Sequence, residues 1–329
     1  MLLVSLVLWY FSATWLAPAL PAAAQAAAPA QSRAPSSTEP FVLGVLRRDG
    51  GVFPFSSFDG KQWQAEWPAG LRGVELPISL DVVPSKWWGK AGVPGEMTIW
   101  NNGVRKGTLR LERPAVVPIV CTGRLAVKSN YRPAELAPPL FVQPYPKDGI
   151  VVSDAPTVAA VEDVTATDER ARIAVRLLDP VDTAEQRAVN EFMDWKHPVK
   201  RADRRKVPLD VEALYRAPMD EEGWTAFYVE AVKKYAPGPE DRGCGLVTSV
   251  SGWVVNGPGK EWTRIVAQIT YCDRKGVSFF FPFGLVRANS RTYWVSQSSG
   301  YDHEFYNVTR PTSKEIRYEV SYPVASCGR

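Results

Sequence analysis

The sequence predicts a mainly β protein: antiparallel sheets in a sandwich- or barrel-like arrangement, with a short helical insertion in the second half. Two observations carry that expectation. Most of the chain reads as short apolar and aromatic strand-like runs separated by Gly, Pro and Asn. No long strand–helix–strand alternation is present, which excludes a doubly wound sheet and a (β/α)₈ barrel.

The first strand-like runs are Phe41 to Arg47 and Val52 to Phe55, joined by Arg48-Asp49-Gly50-Gly51, with Asp59-Gly60 making the next turn. Pro54 demands an edge or a bulge, because proline donates no hydrogen bond to a ladder. Further strands are expected at Leu76 to Val83, Glu96 to Trp100, Gly107 to Glu112, Val116 to Cys121 and Leu125 to Lys128, with Asn101-Asn102-Gly103 as a turn. Strands are also expected at Thr157 to Asp163 and Arg170 to Leu178. A helix is expected from Thr183, where Thr183-Ala184-Glu185-Gln186 is a capping box, to Pro198, and a second short helix over Asp210 to Tyr215. Strand character returns from Trp224 to Lys234 and continues through Gly245 to Val255, Trp262 to Tyr271, Val277 to Phe281, Arg291 to Gln297, His303 to Val308 and Glu315 to Tyr322.

The first charged residue is Arg33. The apolar run from Leu2 and the small residues Ala22-Ala23-Ala24 read as an export signal cleaved before Gln25, with a retained anchor as the alternative, disfavoured because Ser12, Thr14, Pro18 and Pro21 interrupt the run; either places the folded part in the periplasm or outside the cell. No transmembrane span is expected once that segment is removed. The expected organisation is a signal at 1–24, a flexible linker at 25–40 and an N-terminal β domain at 41–131. A proline-rich linker follows at 132–149, then a C-terminal β-rich domain at 150–329 with its helix near 183–196.

A formal charge of +4, from 39 basic and 35 acidic residues, is too small to imply nucleic acid as a partner. The six Lys/Arg residues between Lys196 and Lys206 read as a solvated loop. Four cysteines in an exported chain point to disulfides. A hairpin centred on Pro258 sets Cys244 opposite Cys272, which leaves Cys121 for Cys327. Neither a C-x₂₋₄-C pair nor a neighbouring histidine supports a metal site, and no cofactor motif is present.

Candidate chemistry is sparse. His197 lies at the expected helix end. His303 stands between Asp302 and Glu304; in an extended segment the two carboxylates share one face and the imidazole takes the other. Those three are the candidate catalytic residues. A G-x-S-x-G turn is absent. Ser57-Phe58-Asp59-Gly60-Lys61-Gln62-Trp63 is similar to a propeller Asp-box, but it is one residue short and occurs once. Aromatic residues are abundant, with 12 Trp, 12 Tyr and 13 Phe. Core packing accounts for most tryptophans in a small β domain; Trp87 and Trp88 are the candidate ligand surface, since adjacent residues of an extended segment face opposite ways, whereas Val277, Phe279, Phe281 and Phe283 read as a strand buried on both faces. The functional expectation is a binding or structural protein of the cell envelope, with carbohydrate, peptide or another envelope protein as partner. The alternative is a secreted hydrolase acting on polysaccharide or peptide.

Overall fold

The computed structural model describes residues 36–327, apart from 120–121, 141, 143, 155, 192–195 and 238–244. The chain runs β1 (Phe41–Arg47), β2 (Gly51–Phe58), β3 (Trp63–Gln64), β4 (Met97–Asn101), β5 (Val104–Leu109), β6 (Leu111–Ile119), β7 (Thr122–Ser129) and β8 (Lys147–Val152). It continues through β9 (Val158–Ala159), β10 (Glu162–Asp163), α1 (Thr167–Glu191), α2 (Arg201–Arg204), β11 (Asp210–Pro218), β12 (Thr225–Lys234), β13 (Leu246–Gly257) and β14 (Lys260–Tyr271). The last strands are β15 (Phe279–Ala288), β16 (Arg291–Ser299), β17 (His303–Pro311) and β18 (Ile316–Ser326).

Among the described residues three antiparallel sheets form, none closed into a barrel. Their strand orders are β5-β4-β8-β1-β2-β7-β6 with β3 on β2, then β10-β11-β12-β13-β14, then β18-β17-β16-β15-β9. Alternation along β16 explains why the third sheet lies between the other two. Tyr293 and Val295 join the core of the first sheet, while Trp294 joins the core of the second. Edge-to-face rings mark both seams, Trp63 on Tyr293 at 5.2 Å and Trp253 on Trp294 at 5.0 Å. The other face of the second sheet is covered by α1 through Ile173, Leu177 and Val181, which pack on Leu214, Val229 and Val254.

The mainly β class and most strands agree with the sequence reading. Pro54 sits opposite Gly44 beside a bulge, as its missing N–H requires. Other elements differ. Arg170 to Leu178 is helical, because α1 begins at Thr167 and passes through Thr183 and Pro180 without ending. Ile173, Leu177, Val181, Ala184 and Ala188 form its buried stripe. Asp210 to Tyr215 belongs to β11, and the only regular structure within 76–83 is a 3₁₀ turn at Leu80–Val82. The basic run is not simply a loop: Arg204, in α2, is buried. The β13–β14 hairpin forms, but its ladder runs from Gly257↔Lys260 to Leu246↔Tyr271 about a two-residue turn. Continued beyond its end, that register sets Cys272 opposite position 245, one residue away from the expected partner.

Candidate functional site

The structure divides the Asp302, His303, Glu304 trio differently from the sequence expectation. Extended structure starts only at His303, so Asp302 lies in the preceding turn and bends back, its Oδ1 2.8 Å from His303 Nδ1. The imidazole lies against Gly300, where an added methyl would come within 2.4 Å of Cε1 and 2.8 Å of Nε2. Glu304 faces the first sheet. It is buried, accepts hydrogen bonds from Lys147 Nζ and the Tyr306 hydroxyl, both at 2.8 Å, and is remote in role from its two neighbours. Burial pulls Lys147 below the ordinary lysine range, although the Glu304 charge opposes this.

Trp88 offers no ligand surface, because it is fully buried beside Trp67, ring centroids 4.9 Å apart. The pair is not extended: Ser85–Ala91 forms 3₁₀ turns, and Trp87 packs half-buried, edge-on to Trp67. Gly89 has φ +61°, and a methyl there would meet Ser57 Oγ at 2.4 Å, so glycine is what lets this segment press Trp88 into the core. Among the described residues no cysteine is free. Cys121 and Cys244 lie outside the described residues, as do both proposed pairings and the export signal.

A crevice that the sequence did not reveal opens on the third-sheet side of the second sheet. It occupies about 280 Å³, open solvent at its mouth included, of which the enclosed part has room for no more than about one water. Glu212, Glu230, Ser249, Gln268, Arg274 and Phe279 line it. Register builds it. Glu230 pairs with Ser251 on β13 and with Ala213 on β11, and a bulge between Val211 and Ala213 turns Glu212 toward the same face. Ser249 pairs with Gln268 across β13 and β14, and Gln268 Nε2 donates to the Gly276 carbonyl at 3.3 Å, which holds the 272–278 loop over the strands.

The electrostatics of the two carboxylates diverge. Glu212 takes both guanidinium nitrogens of Arg274, each at 2.7 Å. Glu230 accepts one hydrogen bond, from the Phe280 backbone N–H at 2.6 Å, across the seam between sheets. Burial pushes its carboxyl up to about 7; the Glu212 charge adds to this, while the Phe280 N–H and Arg274 oppose it. Ser249 is 8% exposed, and its buried Oγ has no hydrogen-bond partner. Phe279 is 41% exposed, with the Arg274 guanidinium 6.0 Å from its ring. Phe279 and Phe281 are therefore not buried on both faces as the sequence suggested. They point outward, while Phe280 stacks on Tyr228 at 3.8 Å. The carbonyl of Val277, another lining residue, stands within 2.7 Å of a methyl placed on Gly300, so the His303 loop borders this region.

On the opposite face of the same sheet, Glu185 of α1 is completely buried and fully engaged. It accepts from Thr248 Oγ1 at 2.6 Å, from the Tyr235 hydroxyl, from Lys233 Nζ at 3.2 Å and from Arg204 Nε at 3.3 Å. Burial alone would raise Glu185. The Thr248 and Tyr235 hydroxyls and the Lys233 charge outweigh it and hold the carboxyl below the ordinary range. His197 belongs to this shell, its ring edge-on to Tyr235 at 4.8 Å, its Nδ1 accepting from Val199 N–H at 3.0 Å.

The signal for the crevice was present in β12, where Glu230 interrupts the run Ala226, Tyr228, Val232. Its meaning depended on a bulge and on a donor 50 residues away, neither of which periodicity shows. Among the described residues no group of three His, Cys, Asp or Glu is placed to hold a metal ion, and no helix is long and apolar enough to cross a membrane. In comparisons with known proteins, no family model, curated protein or solved structure matches the chain.

Proposed function

We propose that this is an exported, disulfide-stabilised binding protein of the cell envelope, whose ligand site is the Glu212–Glu230–Arg274 crevice. The observation that carries this reading is a crevice open to solvent whose lining includes the singly bonded Glu230 carboxyl and Ser249, whose buried Oγ has no hydrogen-bond partner. A buried polar atom without a partner costs free energy, and a ligand that supplies the missing partner recovers it. The apolar leader and the Ala22-Ala23-Ala24 cleavage signal support export, and export is what permits the bridges Cys244–Cys272 and Cys121–Cys327.

The test is a backbone-amide NMR titration at pH 6 with maltotetraose, cellotetraose, chitotetraose and tetraalanine. The binding reading expects at least one probe to shift the Glu230, Ser249, Arg274 and Phe279 signals saturably. If none does, or if the shifts fall elsewhere, the reading fails.

One observation favours a second reading, a hydrolase: the 2.8 Å contact that orients His303 through Asp302. It requires turnover of nitrophenyl esters or glycosides that is abolished in His303→Asn. Equal turnover in the variant, or none in either protein, removes it.

A further inference from the structure

The chemistry left available in the crevice selects a ligand class, an inference that rests on the binding reading above. Arg274 is no free cation for an anionic ligand, since both its guanidinium bonds go to Glu212. By the same contact Glu212 is no free anion for a cationic ligand. What remains is a carboxyl in Glu230 with one backbone donor, the Ser249 hydroxyl with no partner, and the exposed face of Phe279 at the mouth.

Such a set matches a molecule that carries no charge and offers hydroxyls on its rim and C–H groups on its faces. We infer that the crevice takes a neutral saccharide. One hydroxyl enters the base between Glu230 and Ser249, and the apolar face of the sugar ring lies on Phe279. The size agrees: the enclosed space is about that of one water, hence of one hydroxyl, so the ring itself stays outside it, against the exposed Phe279. Ser249 and Glu230 supply what a hydroxyl needs, an acceptor and a donor together.

The four-probe titration separates the possibilities when Phe279→Ala and Ser249→Ala are added. One or more saccharides should shift the four crevice signals while tetraalanine leaves them in place. Phe279→Ala should weaken that binding about tenfold, the scale of one aromatic contact. An unchanged amide spectrum outside the crevice would show that the half-exposed side chain was removed without unfolding. Ser249→Ala should weaken binding as well. Tetraalanine shifting these signals with the saccharides inert would overturn the saccharide inference and leave the binding reading standing. Silence from all four probes would overturn both. Saccharide binding undiminished in Phe279→Ala and Ser249→Ala would place the sugar elsewhere and also overturn the inference.

Discussion

Glu185 and Glu230 are approached from opposite faces of one sheet, and burial pushes both carboxyls the same way, yet they end in opposite states. Glu185 meets four donors, from α2, β12, β13 and Tyr235 just after β12, two of them cationic, and stays ionised. Glu230 meets one backbone N–H and is held near neutrality. The difference lies in the count and charge of the donors. A closed network of this kind fixes α1 on the sheet, whereas an unsaturated one leaves hydrogen-bonding capacity that only a ligand or solvent can use.

The largest expected effect comes from breaking the closed side. Glu185→Ala strands Arg204 and Lys233 in the interior and should cost about 3 to 5 kcal/mol, read by urea unfolding. A loss well under 1 kcal/mol would mean that the network is not the clamp described.

The open side predicts a pH dependence. Glu230 has a folded-state pKa of about 7, raised from an ordinary value of 4.5. The folded state therefore binds its proton more tightly than the unfolded chain does. The associated stability is fully present below pH 4.5 and is lost as pH rises through 7. Its size is about 3 kcal/mol, from roughly 1.4 kcal/mol per pH unit. Glu230→Gln should remove that slope, so the difference between wild type and variant between pH 4.5 and 8 isolates it. Parallel profiles would remove the distinction between the two glutamates.

The finest contrast uses adjacent residues on opposite faces. Thr248→Val takes a donor from the Glu185 carboxylate and should cost about 1 to 3 kcal/mol. Ser249→Ala removes a hydroxyl that has no partner, and it should leave stability within about 0.5 kcal/mol of wild type or raise it. Equal losses at the two positions would show that Ser249 is engaged after all.

Local patterns explain which parts of this arrangement the sequence disclosed. The β13–β14 hairpin was legible because Asn256-Gly257-Pro258-Gly259 interrupts two long strand-like runs, although a turn of two residues rather than an odd centre moved the register by one. Residues 170–178 misled because Ile173, Val175 and Leu177 alternate like a strand; only the longer stripe through Val181, Ala184 and Ala188 discloses helix. Glu212 read as helical because the bulge that turns it toward Glu230 has no sequence mark. The His303 segment was the sharpest local cluster, yet a turn at Asp302 and the burial of Glu304 split it. The crevice escaped notice because it joins β11, β12, β13, β14, the 272–278 loop and the start of β15, each unremarkable alone.

The comparison stands or falls on the charge of two side chains, which carboxyl ¹³C NMR reads directly in one sample. Across a titration from pH 4 to 8.5, Glu230 should show a midpoint near 7, while Glu185 should remain ionised down to the ordinary carboxylate range or below. A Glu230 midpoint between about 4 and 5, alongside Glu185, would contradict the account of an open carboxyl in the crevice that keeps its proton up to near pH 7.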